Sequence, residues 1–344
     1  MKETAVYALT RQGAELAKTL VDQVKGALFL PGTLAEDYRG KPFERLKDLV
    51  AEQFSAYQRH IFIAAAGIVV RVIAPHIKHK DSDPAVIVLD QRGRHVISLL
   101  SGHLGGANEL AREVARLTGG KAVITTATDT SGLPSVDLLA KERQLAIGNL
   151  DAVKKVNASI LHGDPVQLFD PEERMKAADT DFRGVRIERI NRETQWDPEK
   201  ASVWITWRDM PDHRNRLVLH PGCLIGGIGC NRGTDATEIL GLIKDTFRGN
   251  RLSLQSLHCL TSIKAKQDEP GLLAAADGLR VPVFFYSPSE LEGIEVPHPS
   301  GIVKRHMGVW SVCEATALIK SKKGRLIVPK IKNKNVTLAV ALES

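Results

Sequence analysis

Three short segments in the first 130 residues combine small side chains, polar side chains and glycine. They cover residues 64–67, 101–106 and 125–129, and each follows an apolar run. Glycine lets backbone amides approach a ligand, and a helix that follows such a loop presents unpaired N–H groups to an anion. In a parallel sheet, strand-to-helix junctions share the carboxyl edge where open α/β folds bind ligands. The segments therefore predict one anion-binding rim, although a tight turn would equally require the glycines of the middle segment.

Two side chains in these segments are candidates for proton transfer. His103 can act as a general acid or base because an unperturbed imidazole titrates near pH 6.5. The alternative is a histidine that only forms hydrogen bonds within its loop. Asp129 can orient that histidine or activate water, although an aspartate after a threonine is equally a turn or cap residue.

Arg71 is the candidate carboxylate binder of this region, because a guanidinium pairs with a carboxylate through two parallel hydrogen bonds. Its alternative role is that of a solvated residue at a helix end. The remaining predicted substrate-binding residues of the region are the loop glycines and two hydroxyl side chains: Gly67, Ser101, Gly102, Gly105, Gly106 and Thr126.

A second glycine-rich run, residues 226–235, follows an apolar strand and precedes a helix. It predicts an anion cradle made by Gly227, Gly229, Arg232, Gly233 and Thr234. It matches a dinucleotide fingerprint only in part, because Arg232 stands where the third glycine belongs. Asp235 and Glu238 have the spacing of a capping box, which is a structural role. Cys230 is better explained by packing than by nucleophilic chemistry, since the sequence places no base beside it.

A third cluster, residues 261–269, comes at the end of another predicted strand. Lys266 and Glu269 can share a site there as anion holder and proton carrier. A solvated charged loop is the alternative, and it is the more common outcome for such a composition. Ser101 does not lie in a G-x-S-x-G elbow, so a serine-hydrolase mechanism has little support.

Alternating apolar strands and amphipathic helices indicate an α/β protein. We expect an N-terminal domain (1–144) with a mainly parallel sheet and helices on both faces. A small middle α+β domain or linker (145–216) and a C-terminal α/β domain (217–344) follow.

The net charge of +7 and a pI near 9.2 favour anionic partners. Aromatic residues make up only 5% of the chain and no nucleic-acid motif is present, so a polyanionic small molecule fits at least as well as nucleic acid. No run approaches the roughly 20 apolar residues of a membrane span, and the N-terminus lacks an apolar signal core. We therefore expect a cytoplasmic protein. The four cysteines form no C-x-x-C pair, which argues against a zinc site.

The same clusters resemble the cobalt-precorrin-5A hydrolase family, CbiG. The resemblance covers nearly the whole chain, with a divergent middle, and rests on these segments in this order: 65–71, 101–108, 125–129, 227–234, 262–269 and 312–315. Asn231 departs from the family pattern, which often has a second basic residue there. Lys264 departs as well, because an acid is common at that place.

The resemblance implies an anaerobic enzyme of cobalamin synthesis that opens the δ-lactone of cobalt-precorrin-5A and releases acetaldehyde, giving cobalt-precorrin-5B. The cobalt arrives inside the anionic tetrapyrrole, so the expectation is no cofactor, no protein metal site, no nucleic acid and no membrane partner. A homodimer or transient contact with neighbouring pathway enzymes stays open. Two other functions remain: a non-catalytic corrinoid-binding or channelling protein, and a nucleotide-dependent oxidoreductase.

Overall fold

The chain divides into two compact units, residues 1–138 and 139–344. The computed structural model describes residues 2–79, 82–103, 105–126, 132–175, 182, 184–301, 304–305, 310–322 and 324–344. No helix within those ranges is long and apolar enough to cross a membrane. Each unit is described in turn.

A sheet of seven strands forms the centre of the first unit, in the order β3-β2-β1-β4-β5-β6-β7. Its strands are β1 (Lys2–Ala8), β2 (Ala27–Pro31), β3 (Lys41–Phe43), β4 (Tyr57–Ile63), β5 (Ala85–Leu89), β6 (His95–Leu100) and β7 (Lys121–Val123). Neighbouring strands are parallel except β5 and β6, which are antiparallel. The carboxylate of Asp90 holds the tight turn between them, accepting from Arg92 N at 2.9 Å and His95 N at 2.8 Å.

Helices cover both faces of this sheet because β1 places alternate buried side chains on opposite sides. The helices of the unit are α1 (Arg11–Gln23), α2 (Gly32–Tyr38), α3 (Leu46–Gln53), α4 (Ala66–Ile73) and α5 (Ala107–Thr118). Val6 packs in a core with Leu20 of α1 and Leu110 of α5. Tyr7 packs in the opposite core with Val50 of α3 and Val69 of α4. The next helix, α6 (Val136–Glu142), spans the boundary between the two units.

The second unit begins with a sheet of five strands in the order β10-β9-β11-β12-β8. They are β8 (Leu145–Ile147), β9 (Val166–Phe169), β10 (Ile187–Ile190), β11 (Ser202–Ile205) and β12 (Arg216–Pro221), with helix α7 (Leu150–His162) between β8 and β9. Only the β8–β12 pair is antiparallel among these described strands. Trp204 of β11 packs on Phe169 with ring centroids 4.6 Å apart, which gives this sheet its own aromatic core.

A further five-stranded sheet, β15-β14-β13-β17-β16, completes the second unit. Its strands are β13 (Leu224–Cys230), β14 (Leu257–Ile263), β15 (Val283–Tyr286), β16 (Arg325–Lys332) and β17 (Val336–Leu342). Helices α8 (Ala236–Gly249) and α9 (Pro270–Leu279) pack in one core with Leu260 and Leu338. Helix α10 (Val312–Lys320) packs in another, where Ala317 meets Ile225.

The predicted fold class is confirmed: the N-terminal sheet is mainly parallel with helices on both faces, and further α/β structure follows. The three-part domain division stays a prediction. Sequence periodicity did not predict α2, β3 or β16, because each is short or lacks a continuous apolar stripe. The reversed direction of β6 also went unpredicted, and it moves a predicted site.

Candidate functional site

The predicted single rim in the first unit is wrong. Because β6 runs antiparallel to β5 and parallel to β7, the loops that follow β6 and β7 lie at the edge where β4 and β5 begin. The segment 64–67 follows β4 and lies at the opposite edge. The structure therefore brings together residues 101–106 and 124–126, and it separates them from Gly67 and Arg71.

Gly67 and Arg71 form a local pair at the start of α4. The Arg71 guanidinium donates through Nη1 to the carbonyl oxygen of Gly67 at 2.8 Å, and both residues are exposed. The contact satisfies the arginine within its own helix. Two apolar neighbours, Ile68 and Val70, are also exposed on this helix, at 43% and 46%.

Packing and backbone conformation explain the glycines after β6. Gly106 has φ of 86°, in the left-handed region that favours glycine. A Cβ on Gly105 would collide with Ser101, and a Cβ on Gly102 would lie 2.8 Å from the Asn108 amide oxygen. Ser101 itself has φ of 58°, and its buried hydroxyl has no hydrogen-bond partner among the described residues. The loop is therefore tightly folded on itself.

The amides at the start of α5 do not form the predicted anion cradle. Gly106 N donates to His103 O at 2.9 Å, Ala107 N to Ser101 O at 3.0 Å, and Asn108 N to Gly102 O at 3.0 Å. These N–H groups are used inside the loop, so they are not offered to a ligand. What the loop presents instead is side-chain chemistry.

Asn108, which is 3% exposed, connects the loops after β6 and β7. Its amide oxygen accepts from Ser98 Oγ at 2.7 Å, and its amide nitrogen donates to Thr126 Oγ1 at 3.1 Å. Thr126 thus has a structural contact in this loop pair. Asp129, the other predicted residue here, lies outside the described residues.

His103 has a carboxylate partner that the sequence did not predict. Its Nδ1 lies 3.4 Å from Asp137 Oδ2, and the two side chains are 19% and 5% exposed. The hydroxyl of Ser135 donates to the other oxygen of Asp137. A buried carboxylate that contacts one imidazole nitrogen fixes the ring's orientation and favours its protonated form. The only sequence signal for Asp137 was an acid in the first turn of a helix opened by Pro134.

A cavity of about 440 Å³ lies at this edge of the sheet, next to the histidine loop. Gly105 forms part of its wall, opposite residues from the beginnings of β4 and β5. His76 and Lys78 contribute the basic groups, and Asp83 contributes an acid. Asp83 accepts from Lys78 N through both oxygens at 3.1 Å, which fixes this part of the wall. The edge therefore combines a cavity with a titratable pair.

In the second unit, the first half of the glycine-rich run is strand. Gly227 and Gly229 lie within β13 and pair with Ala339 and Thr337 of β17. A Cβ on Gly227 would collide with the carbonyl oxygen of Cys313, because α10 packs directly on β13 at this point. These glycines allow a helix to approach a sheet, so they do not form a phosphate-binding turn. The predicted substrate contact of Gly227 has no loop to support it, whereas Gly229 lines the cavity at the start of α10 and its predicted contact stays a prediction.

The second half of the run does bind an anion, which is the carboxylate of the protein's own Glu269. Gly233 N donates to Glu269 Oε1 at 2.6 Å, while Lys266 Nζ lies 3.3 Å from Glu269 Oε2. Lys266 is 5% exposed and Glu269 is 1% exposed, so the interpretation as a solvated charged loop is wrong for both. A buried ion pair with an added backbone donor fixes the loop to the start of α9.

The other residues of this loop make local contacts at the surface. Arg232, with a side chain 69% exposed, reaches Asp268 at 3.4 Å. Thr234 Oγ1 donates to Asn231 O at 2.8 Å. Asn231 Nδ2 donates to Asn335 Oδ1 at 3.1 Å, which ties the loop to β17. Lys264, the second departure from the family pattern, lies 3.5 Å from Glu290. Asp235 caps α8, as predicted, by accepting from Thr237 N at 2.7 Å.

A basic cavity of about 260 Å³ adjoins this loop at the beginning of α10. Its lysines are contributed by β16 and the turn after it: Lys330, Lys332 and Lys334. Cys230 also lines it. Burial raises the pKa of the Cys230 thiol, and the nearby Lys266 ammonium offsets part of that rise. The thiol therefore stays protonated near neutral pH, which agrees with packing as its role. No group of three or more metal-binding side chains occurs in the described ranges.

Comparison with known proteins shows which family the chain belongs to. The chain is 33% identical over 98% of its length to the cobalt-precorrin-5A hydrolase of Priestia megaterium, covering 94% of that protein. The chain belongs to the CbiG family. It is also 34% identical to the cobalt-precorrin-5A hydrolase of Salmonella typhimurium, over 98% of this chain and 97% of that protein.

Three family descriptions match consecutive parts of the chain. Cobalamin synthesis G N-terminal matches residues 48–129, the cobalamin biosynthesis central region matches 134–221, and cobalamin synthesis G C-terminus matches 224–341. A solved structure of CobE, a protein from the cobalamin (vitamin B12) biosynthetic pathway, is 36% identical and covers 36% of this chain and 91% of that one, with a TM-score of 0.34. The chain thus matches all three parts of the CbiG pattern, including the middle region.

Proposed function

We propose that this chain is a cobalt-precorrin-5A hydrolase of cobalamin biosynthesis. The observation that carries the proposal is the near full-length identity of 33–34% to two hydrolases of that name. The reaction adds water across the δ-lactone of cobalt-precorrin-5A and releases the two-carbon unit as acetaldehyde, leaving cobalt-precorrin-5B. The cobalt is part of the substrate.

His103 is the residue best placed to move the proton of the attacking water. Nδ1 faces the carboxylate of Asp137, so the ring can take a proton while that carboxylate stabilises the resulting positive charge. A new C–O bond forms from water to the lactone carbonyl, and the ring C–O bond breaks. The imidazolium then returns the proton to the departing alkoxide, which gives a two-carbon alcohol attached to the macrocycle. Acetaldehyde leaves when the C–C bond to the macrocycle breaks: the alcohol loses its O–H proton, its oxygen becomes the aldehyde oxygen, and the ring carbon keeps the electron pair and takes up a proton. The adjoining cavity, with Lys78 and His76 in its wall, offers cationic groups to a carboxylate arm.

Glu269 supports loop structure better than proton transfer, because both of its oxygens already have donors. The lysine-lined cavity at the start of α10 is the stronger candidate for anion binding in this region. We assign the predicted residues Arg232, Gly233, Thr234 and Lys266 to shaping its border.

Anaerobic incubation with cobalt-precorrin-5A tests the proposal directly. The expected result is release of acetaldehyde together with a product whose mass matches cobalt-precorrin-5B. Binding without acetaldehyde would instead indicate a non-catalytic corrinoid carrier. A nucleotide-dependent oxidoreductase has lost its sequence support, because Gly227 and Gly229 lie in a strand under α10. NAD(P)H titration followed by fluorescence should accordingly show no binding.

A further inference from the structure

Three of the chain's four tryptophans line one cavity in the second unit. Trp196, Trp204 and Trp207 lie within twelve residues of sequence, in a chain where aromatic residues make up only 5%. The cavity has a volume of about 960 Å³, at the upper end of the range of roughly 300–1,000 Å³ found for ligand pockets. Trp204 and Trp207 are buried, whereas Trp196 is partly exposed, and an accessible indole face suits a flat conjugated ring.

The wall of this cavity contains a buried arginine that has no carboxylate partner among the residues that the structure describes. The guanidinium of Arg216 lies between two indoles, 4.5 Å from the ring centre of Trp196 and 4.7 Å from that of Trp204. The residue is 5% exposed, and within the described ranges no carboxylate lies within ion-pair distance of it. Its Nε–H has no acceptor there either, and its Nη2 donates to the carbonyl oxygen of Pro211.

A desolvated cation without a counter-ion is unfavourable, so its retention beside a cavity points to an anion supplied from outside. Burial lowers the pKa of the Arg216 guanidinium, and the more distant Glu193 and Asp212 oppose that effect. The indole N–H of Trp204 is a second buried donor in the same wall without a partner in the described chain.

The rim of the cavity is also basic and is held in place by the main chain. Arg208 and Arg251 are exposed there, and Arg208 stacks on Trp207 at 5.0 Å. Asp209 N donates to Arg251 O and Ser253 N donates to Trp207 O, both at 2.9 Å, so the two rim segments form a short ladder. With Arg216, three arginines face two acids, Glu193 and Asp209.

We propose that this cavity binds a planar ring system that carries carboxylates, with the ring against Trp196 and a carboxylate on Arg216 and Arg208. Resting on the proposed hydrolase function, we assign the ligand as the polycarboxylate corrin-type ring of the substrate and product. The middle region of the chain then contributes a corrinoid-binding surface distinct from the histidine loop.

Titration of the full chain with dicyanocobyrinic acid, a stable cobalt corrinoid with free carboxylates, tests this assignment. Binding is followed by calorimetry and by quenching of tryptophan fluorescence. We expect Arg216→Met and Trp196→Leu to raise Kd at least 10-fold, and the exposed Arg208→Met to raise it about 3-fold. The matched controls Arg248→Met and Trp310→Phe should stay within 2-fold, because neither residue lines the cavity. The fully esterified corrinoid, which lacks the charges, should bind at least 10-fold more weakly than the acid.

Wild-type affinity in both Trp196→Leu and Arg208→Met would overturn the assignment, even if Arg216→Met failed to fold. Equal binding of the acid and its ester would overturn the carboxylate contact. Acetaldehyde release by the wild-type protein is measured separately. Turnover without cavity-dependent binding would reject only the cavity, and cavity-dependent binding without turnover would reject only the hydrolase function.

Discussion

Two glycine-rich segments of this protein look alike in sequence and behave differently in structure. The segment after β6 folds on its own carbonyls and borders a cavity through Gly105, and its His103 has one ring nitrogen beside the buried Asp137. The segment after β13 folds around Glu269, which takes its Gly233 amide and pairs with Lys266. The first loop presents the partly exposed imidazole of His103. In the second, the charge of Glu269 is already paired within the protein.

The difference shows that an anion-binding pattern does not reveal whose anion is bound. Both segments were predicted to hold substrate carboxylates through backbone amides. In each, the structure shows amides that are already paired, with loop carbonyls in one and with the protein's own carboxylate in the other. The comparison therefore assigns chemistry to the first segment and architecture to the second.

Replacing His103 should have the largest effect on catalysis. We expect His103→Ala to lower kcat/KM for acetaldehyde release by about 10²–10⁴-fold, because a general base contributes roughly that factor. Circular dichroism should remain that of the wild type. An unchanged rate would mean that His103 takes no part in the mechanism. The assignment of chemistry to the loop after β6 would then be wrong.

Removing the Glu269 charge should have the largest effect on stability. Glu269→Gln leaves the buried Lys266 ammonium without a counter-charge, so we expect the free energy of unfolding to fall by about 3–5 kcal/mol. Urea denaturation measures the change. Glu290→Gln, which removes the exposed partner of Lys264, is the matched control and should leave the denaturation midpoint nearly unchanged. If both variants showed the same small fall in the free energy of unfolding, the buried Lys266–Glu269 pair would not stabilise the fold.

Asp137→Asn should reduce activity less than loss of the imidazole. The ring stays in place and loses its charged orienting partner, so we expect kcat to fall about 10- to 100-fold. The measurement is kcat for acetaldehyde release, and a wild-type kcat in Asp137→Asn would mean that Asp137 does not act through His103.

A pH-dependent loss of stability in the first unit should be the smallest effect. His60 is fully buried between Tyr7 and Phe54, and burial lowers its pKa to about 4. Protonation therefore favours the unfolded chain, and stability present above pH 6.5 is lost as the pH falls toward 4. Between pH 7 and 5.5 we expect a loss of about 1 kcal/mol. Hydrogen exchange of β1 and β4 measures it. His60→Phe should remove this dependence, whereas the exposed His95→Gln should retain it.

The sequence predicted most of the fold because strong periodicity needs only local information. The apolar spacing in residues 312–320 and 107–117 predicts a helix in each, and the observed α10 and α5 match those bounds to within one residue. Strand direction depends on pairing between distant residues, so the antiparallel β6 could not be predicted from its own apolar pattern.

A site residue could be predicted only where its side-chain type and its neighbours in sequence both pointed to a functional role. His103 stood out because of its residue type and its loop. Asp137 did not, since it is 34 residues further along and only tertiary folding places it at 3.4 Å. Lys266 and Glu269 were identified as a pair. The charged composition of their segment favoured exposed side chains, whereas the structure buries both. Arg216 and its three tryptophans went unassigned because the middle region has no clear period.

The short turn after β5 has a consequence for any attempt to transfer knowledge between α/β proteins. Because the turn reverses β6, the position of a strand in the chain does not show at which edge of the sheet the following loop lies. Placing His103 by analogy with a wholly parallel sheet would put it wrong by the length of β6, about 20 Å. It also means that Asp90, at the far end of β6 from the histidine loop, helps to set the path by which the chain reaches His103. Lengthening that turn by a single residue would rotate the outward and inward sides of β6 and so disturb catalysis from a distance.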